Sequence, residues 1–333
     1  MSATPVLITG ATGYIGSRLV LDLVRKFGDE VRCRVAVRAS SDVSFLKGLP
    51  VEIVHADMHD SIAVGEAVRG VEVVFHCAGM IGFTNNFRNR LHDTNVLGTR
   101  HVIDACIEHG VKRMVMTSSI AAIGSATVDG VVAESTEESA FTELQRHNVY
   151  MESKHLAELE CRRGVAEGLD VVMVNPGVVI GRSPEPGMPG SSSNEVMRLI
   201  YEGREPFCPE GSTGFVDVRD VSDALVAAWQ KGKSGERYII VGESLPFREL
   251  FSRIAALPGS RTGKPVVVGG LVGVLAGAAG EFWSLLSGQS SFISIESIQQ
   301  ASRPARYSNR RSIAELGMSY HPFDETLKSA VAL

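Results

Sequence analysis

Tyr150 and Lys154 stand four residues apart in a stretch patterned as a helix, so both side chains leave the same face. A free tyrosine has a pKa near about 10, and proton exchange near neutral pH requires a fall of roughly 2 to 3 units, about 3 to 4 kcal/mol of preference for the phenolate. The Lys154 ammonium is placed to supply part of that preference. Ser119 follows the apolar run Val111 to Thr117, and from a strand end its hydroxyl can donate to a substrate oxygen as charge develops there. A Tyr and a Lys at this spacing are common on solvated helices. What marks this pair is its order in the chain, after a glycine turn and a strand-end serine.

The glycine turn is Val6-Leu7-Ile8-Thr9-Gly10-Ala11-Thr12-Gly13-Tyr14-Ile15-Gly16, an aliphatic run breaking into three evenly spaced glycines. Leu19, Val20, Leu23, Val24 and Phe27 follow at helical spacing, so the unit reads as strand, tight turn and helix. Unpaired N–H groups at such a helix start suit a phosphate. Gly10 would allow the turn, Gly13 would leave no side chain before a pyrophosphate, and Gly16 would let helix and strand pack closely. The spacing is one residue longer than the usual dinucleotide fingerprint, and a glycine turn without a ligand shares the local pattern. Thr12, Tyr14 and Ile15 complete the expected cofactor contacts here.

The elements behind these residues alternate. Val31 to Val37 reads as a second strand ending at Arg38, where an acid would hold a ribose 2′-hydroxyl and an arginine a 2′-phosphate. Arg38, with Ser40 and Ser41 ahead of Asp42, points to NADP(H), leaving NAD(H) as the alternative. Val51 to Val54 leads to Asp57 and Met58; Asp57 either accepts from the adenine amine or caps the helix near Asp60. Val71 to Phe75 opens into His76-Cys77-Ala78-Gly79, small residues where backbone would pass a dinucleotide. Asn95 to Ile107 reads as a helix, Gly124 to Asn148 as a loop over the site, Tyr150 to Glu167 as a helix, and Val171 to Asn175 as a strand before Pro176-Gly177. Together they predict an α/β fold, a doubly wound parallel sheet of Rossmann type over residues 1–175. Residues 176–333 are expected to form mainly a smaller, interleaved substrate-binding region, with segments near 214–242 returning to the large sheet. Ile81, Phe83, Ile123 and Val178 follow strand ends as candidates for an apolar pocket wall. Phe207, Phe215, Phe282 and Trp283 individually read as core, Phe215 being carried as a pocket candidate as well.

The 333 residues, 44% hydrophobic and 21% charged, fit an ordinary globular enzyme, and a net charge of −5 argues against a nucleic-acid partner. Cys33, Cys77, Cys106, Cys161 and Cys208 are scattered without a C-x-x-C pair, as expected of reduced thiols, with Cys33 and Cys77 placed in strands. No metal site is expected. The first strand begins too early to leave room for a signal peptide, so a cytoplasmic location is expected. Val266 to Leu286 is apolar but interrupted by glycines and Glu281, and reads as a buried or substrate-facing helix before a membrane segment.

In combination, Thr9 to Gly16, Asp57, His76-Cys77-Ala78, Asn95-Val96-Leu97-Gly98-Thr99, Thr117-Ser118-Ser119, Tyr150 with Lys154, Asn175-Pro176-Gly177 and Phe215 to Val221 resemble the extended short-chain dehydrogenase/reductase family. The branch is the dihydroflavonol reductase-like and 3β-hydroxysteroid dehydrogenase-like one, and Ala305 to Ser308 with Glu315-Leu316-Gly317 extend the resemblance over nearly the whole chain. It implies a triad of Ser119, Tyr150 and Lys154, with Ser118 the alternative serine. Lys154 would also bond the nicotinamide ribose. Asn95 would place its helix or a relay water. Met58, Cys77, Ala78, Gly79, Thr117, Pro176, Gly177 and Val178 join the expected cofactor contacts, and a homodimer is an expectation from the family. Ser118-Ser119-Ile120 replaces the Asp-Glu pair of the family's dehydratases, and Arg38 replaces the acid of many epimerases. The activity implied is hydride exchange between NADP(H) and a small to medium, partly apolar aldehyde or ketone or its alcohol. Rivals are a nucleotide-sugar epimerase or dehydrogenase, using Arg182, Arg198, Arg204 or Arg219 for a diphosphate, and a non-catalytic NADP-binding sensor or subunit.

Overall fold

Seven strands form one parallel sheet, and the near-continuous apolarity of its central strands follows from cover on both faces, while the edge strand Val51–His55 stays largely exposed. A computed structural model describes residues 3–82, 84–128, 131–182, 187–268 and 301–332. The first six strands are β1 (Thr4–Thr9), β2 (Val31–Val37), β3 (Val51–His55), β4 (Val73–His76), β5 (Arg113–Thr117) and β6 (Val171–Pro176). Across the sheet the order is Arg237–Ile240, β6, β5, β4, β1, β2, β3. Alternation along each strand divides the core. Val6, Ile8, Phe75, Val115 and Val172 face one layer of helices, while Leu7, Val74, Met114, Met116 and Met173 face the other.

The first layer holds α1 (Tyr14–Phe27), and the second holds α2 (Ser61–Val68), α3 (Gly98–Glu108) and α4 (Val149–Ala166). Asp60 caps α2 by accepting from the Ile62 and Ala63 amides, so the cap is Asp60 and not Asp57. Ahead of α3 the chain takes a π-helical turn, His92–Leu97, so this helical segment starts before Asn95. Cys33 is buried in β2, whereas Cys77 lies one residue past β4, in the connection to the site.

Beyond β6 come β7 (Val178–Ile180), α5 (Ser192–Tyr201), β8 (Phe207–Pro209), β9 (Ser212–Asp217), α6 (Val218–Lys231), β10 (Arg237–Ile240), β11 (Glu243–Pro246), α7 (Phe247–Ala255), β12 (Val266–Val268) and α8 (Phe323–Val331). α6 packs on α1, and β10 pairs with β6, so both belong to the large sheet and its cover. β7, β9 and β11 make a separate three-stranded sheet over a second core of Met197, Ile200, Phe215, Leu250, Phe251 and Leu327. The described residues of 124–148 do not cover the site as a loop, though Asn148 borders it. They dock beside β10, where the Glu137 carboxylate accepts the Ile239 amide at 2.9 Å and Glu134–Ser135 pairs with Arg306–Tyr307. Among the described residues no helix is long and apolar enough to cross a membrane. Phe282, Trp283 and most of Val266 to Leu286 lie outside the described residues.

Candidate active site

Strand order reverses at β1, which has β2 on one side and β4 on the other, and the carboxyl ends of the strands there border a crevice. Gly10 turns the chain with φ +67°, and a Cβ on it would come within 2.6 Å of the Ala78 amide nitrogen. A Cβ on Gly16 would meet the Gly10 carbonyl oxygen at 2.2 Å, so α1 presses directly onto the turn. The Gly13 amide closes that turn on the Gly10 oxygen at 2.9 Å. α1 begins with no side-chain cap and no acid in its first turn, leaving its amides and dipole for an anion. The glycines and this bare helix start fit a dinucleotide pyrophosphate.

α4 carries the second half of the site. Asn148 caps it by accepting from the Tyr150 and Met151 amides, which fixes the first turn where Tyr150 sits. Lys154, 6% exposed, reaches across to donate to the Thr117 carbonyl at 3.3 Å, at the end of β5. Burial pushes its pKa down to about 8, while the Glu158 charge works the other way. Tyr150 bonds the Ser119 hydroxyl. Burial raises the Tyr150 pKa, and that hydrogen bond lowers it. The protein alone therefore shifts Tyr150 upward, opposite to the fall expected from Lys154, because an apolar wall disfavours the phenolate.

Ser119 also caps a short turn, its Oγ accepting the Ala121 amide at 3.1 Å. Ser118 points the other way and donates to Glu158 Oε1 at 2.5 Å. Glu158, 1% exposed, further accepts from Asn175 Nδ2 at 2.5 Å and pairs with Arg237 at 3.2 Å. The same Asn175 amide donates to the Ser119 carbonyl at 2.9 Å. Of the two serines, Ser119 is the one that meets Tyr150.

The crevice continues into a cavity of about 1360 Å³ between the sheet and the second core. That exceeds the roughly 300–1,000 Å³ of an ordinary small-ligand pocket and gives room for more than one ligand. Its far wall is apolar, built from Val178, Met197, Ile200, Phe247, Leu250 and Phe251. Tyr14 joins the two halves. Its hydroxyl donates to the Gly181 carbonyl, and Asn194 on α5 bonds that oxygen at 2.6 Å and the Gly181 amide at 3.0 Å.

The model of the NAD dependent epimerase/dehydratase family matches residues 6–241. The chain belongs to that family. It is 30% identical over 97% of its length to a putative dihydroflavonol 4-reductase from Synechocystis, covering 92% of that protein. To sterol demethylase protein B from Methylococcus capsulatus it is 32% identical, over 76% of this chain and 74% of that one. The solved structure of gox2253 superposes with a TM-score of 0.82 at 26% identity, covering 99% of this chain and 97% of the other. These likenesses place the chain in the extended, dihydroflavonol reductase-like branch.

For this member of the epimerase/dehydratase family, the cavity gathers Gly10, Gly13, Tyr14, Ile15, Gly16, Cys77, Gly79, Thr117, Ser119, Tyr150, Lys154, Pro176, Gly177 and Val178, with Ile81 at its rim. Arg38 and Asp57 stand exposed just past β2 and β3, on the same edge of the sheet. Thr12 bonds Ser41 at 3.5 Å, bringing the loop after β2 over the glycine turn. Asp42 is engaged by the Ser44 amide. Cys77 accepts from Thr117 Oγ1, and burial pushes its thiol up to about 11.

Several expected contacts fall elsewhere. Ile123 is fully buried with Ile239, Val241 and Tyr307, because the turn after β5 aims it under β10. Phe215 is core, edge-on to Phe247, while Phe207, read as core, is 52% exposed and lines the cavity. Met58 packs into the core beside α3. Asn95 does not face the cavity. It clamps both the amide and carbonyl of Met80 and bonds Ser153, which fixes the loop bearing Ile81. Ala78 abuts Gly10 and gives its amide to Thr9 Oγ1 at 3.2 Å. Phe83 lies outside the described residues. Glu158 and Asn194 escaped the sequence reading, though Glu158 at four residues past Lys154 was open to the same helical-face argument.

Proposed function

We propose that the protein is an NADP-dependent oxidoreductase interconverting an apolar aldehyde or ketone and its alcohol. The observation that carries this is the bond between Tyr150 and Ser119 beside buried Lys154, at the mouth of an apolar cavity. The glycine turn would hold a dinucleotide whose reduced nicotinamide would supply hydride chemistry at the carbonyl carbon. Ser119 donates to the carbonyl oxygen and orients it. Tyr150 gives its proton to that oxygen as negative charge builds, and a tyrosine held above its usual pKa keeps that proton until needed. Lys154 would hold the ribose hydroxyls of such a cofactor and, as an ammonium, stabilises the phenolate left behind.

NADP over NAD rests on Arg38. Among the described residues its guanidinium makes no ion pair, and no acid competes for a ribose there since Asp42 is turned to Ser44. The arginines a sugar diphosphate would need are committed elsewhere: Arg198 and Arg204 pair with Glu202, and Arg219 pairs with Asp217 and Glu325. Arg182 is exposed and lines no part of the cavity. The relative named a dihydroflavonol 4-reductase supports carbonyl reduction.

Stopped-flow loss of NADPH absorbance against a panel of aliphatic and aromatic carbonyls tests the reading. Turnover on an apolar carbonyl, abolished in Tyr150→Phe, is the expected result. Unchanged turnover in that variant sinks the mechanism, and NADP binding with no turnover on any carbonyl would return the protein to the sensor class.

A further inference from the structure

Lys154 is buried and must nonetheless be charged to work, which poses an electrostatic problem the triad alone does not solve. The ordinary cost of burying an ammonium is relieved by a nearby anion. One helical turn further along α4 lies Glu158, on the same face, also buried, and engaged by three separate elements. Ser118 reaches it from the end of β5, Asn175 from β6 and Arg237 from β10. A buried carboxylate with partners from three strand ends is unlike Glu160 on the same helix, which is part-exposed and pairs with Arg100 and Arg163 on helices.

We infer that Glu158 is a positioning residue of the reaction: its carboxylate keeps Lys154 protonated and anchors the Ser118-Ser119 turn against Tyr150. This rests on the reading of Tyr150 and Lys154 as the reacting pair.

Two links carry the effect. The first is mechanical, since Asn175 Nδ2 divides its protons between the Glu158 carboxylate and the Ser119 carbonyl, so the carboxylate sets where Ser119 sits. The second is charge. The titratable and charged groups around Lys154 are Glu158 and Cys161 on α4, His76 and Cys77 at the end of β4, and Arg237 beyond Glu158 on β10. Burial holds His76 neutral and both cysteines as thiols. Glu158 is thus the anion that opposes burial of the Lys154 ammonium. Arg237, the cation on its far side, shares its charge and limits the lift it gives to Lys154. With the lysine titrating near 8, even a modest loss moves it through neutral pH.

The test reads the lysine directly and needs no substrate. Protein made with [ε-13C]lysine is titrated by NMR, and the Lys154 signal is assigned by its loss in Lys154→Arg. Glu158→Gln is expected to lower the Lys154 midpoint by about one unit, roughly a tenfold change in its protonation equilibrium. Ser118→Ala, which removes a hydrogen bond and no charge, is expected to leave the midpoint within about 0.2 units. Glu158→Asp, which draws the charge back by one methylene, is expected to lower it by about half as much as Gln. A midpoint unchanged in folded Glu158→Gln overturns the inference, as does an equal fall in Ser118→Ala. If the Gln variant does not fold, an unchanged midpoint in Glu158→Asp overturns it. A protein that reduces no carbonyl but shows these shifts would contradict the proposed activity, and with it the role of Glu158 in a reaction, while leaving the charge coupling of Glu158 to Lys154 standing.

Discussion

Ser118 and Ser119 are neighbours in the chain with opposite assignments: Ser118 Oγ donates to buried Glu158 at 2.5 Å, while Ser119 meets Tyr150. The extended backbone at Ser119 sends successive side chains to opposite sides, and β5 ends between the acid and the cavity. Ser119→Ala should therefore lower kcat by about 10²-fold or more, as loss of an oxyanion donor does. Ser118→Ala should cost about 1–3 kcal/mol of stability, because it leaves a buried carboxylate short of a donor, and lower kcat less than tenfold. Steady-state kinetics and thermal unfolding of both variants check this. Equal kinetic losses would mean that the two hydroxyls are not divided.

Arg38 at the end of β2 gives the cofactor prediction. A guanidinium on a 2′-phosphate is a charge-assisted contact worth about 1.5–3 kcal/mol, so Arg38→Ala should weaken NADPH by about ten- to a hundredfold. NADH, which lacks that phosphate, should change by less than about threefold. Fluorescence titration of both nucleotides measures the difference. Equal weakening would refute the assignment.

Much of this was legible in the chain, and the reason is locality. A glycine turn, a strand run and a Tyr-Lys pair on one helix face are each set by residues within about ten positions, so the sheet class could be read directly, and the turn, Ser119, Tyr150 and Lys154 could be expected at one crevice. Ile123 and Phe215 could not be placed that way. Ile123 follows a strand and Phe215 lies within one, but whether such a residue enters the cavity or the core depends on which distant element covers it, here β10 and α7. Glu158 looked like one more charged residue on a polar helix, and its burial depends on distant elements, β5 with Ser118, β6 with Asn175 and β10 with Arg237. Asn95 had the right neighbourhood and a different task, since the π-helical turn directs its amide at Met80.

Lys154 offers a trade between stability and chemistry. Its pKa is lowered in the folded protein, so below about pH 8 the fold carries a penalty for charging it that the unfolded chain does not. Lys154→Met should abolish turnover and raise stability at pH 7 by on the order of 1–3 kcal/mol. As pH rises from about 8 towards 10.5 the wild type sheds the penalty, and the advantage of the variant should shrink. Chemical denaturation at pH 7 and pH 9.5 checks both parts. A destabilised Met variant would show that the Lys154 bond to Thr117 outweighs its burial.

His76 should govern the acid limit of the fold. It is buried between two hydroxyls, with Nδ1 2.8 Å from Thr9 Oγ1 and Nε2 3.1 Å from Thr99 Oγ1. The Thr99 hydroxyl gives its proton to the Asn95 carbonyl at 2.6 Å, so Nε2 is the protonated nitrogen and Nδ1 accepts from Thr9. Burial lowers the His76 pKa to about 3, against 6.5 for a free imidazole, and the charge on Lys154 adds to the fall. Between those values the unfolded chain binds a proton that the folded one does not, so stability is lost as pH falls from 6.5. The loss attributable to this residue should reach about 2 kcal/mol between pH 7 and pH 5. His76→Gln, which keeps a polar side chain without a titrating group, should start from lower stability at pH 7 and fall less steeply with acid. Denaturant midpoints for both proteins across pH 5 to 7 measure the two slopes, and parallel slopes would place the acid sensitivity on other groups. The same pair of hydroxyls links His76 to the cofactor turn, because Thr9 Oγ1 also accepts the Ala78 amide that Gly10 presses against. The folded protein takes up a proton on Nδ1 only near pH 3, so nucleotide affinity should stay level from pH 7 to pH 5 while stability falls, and nucleotide titration at both pH values checks the contrast.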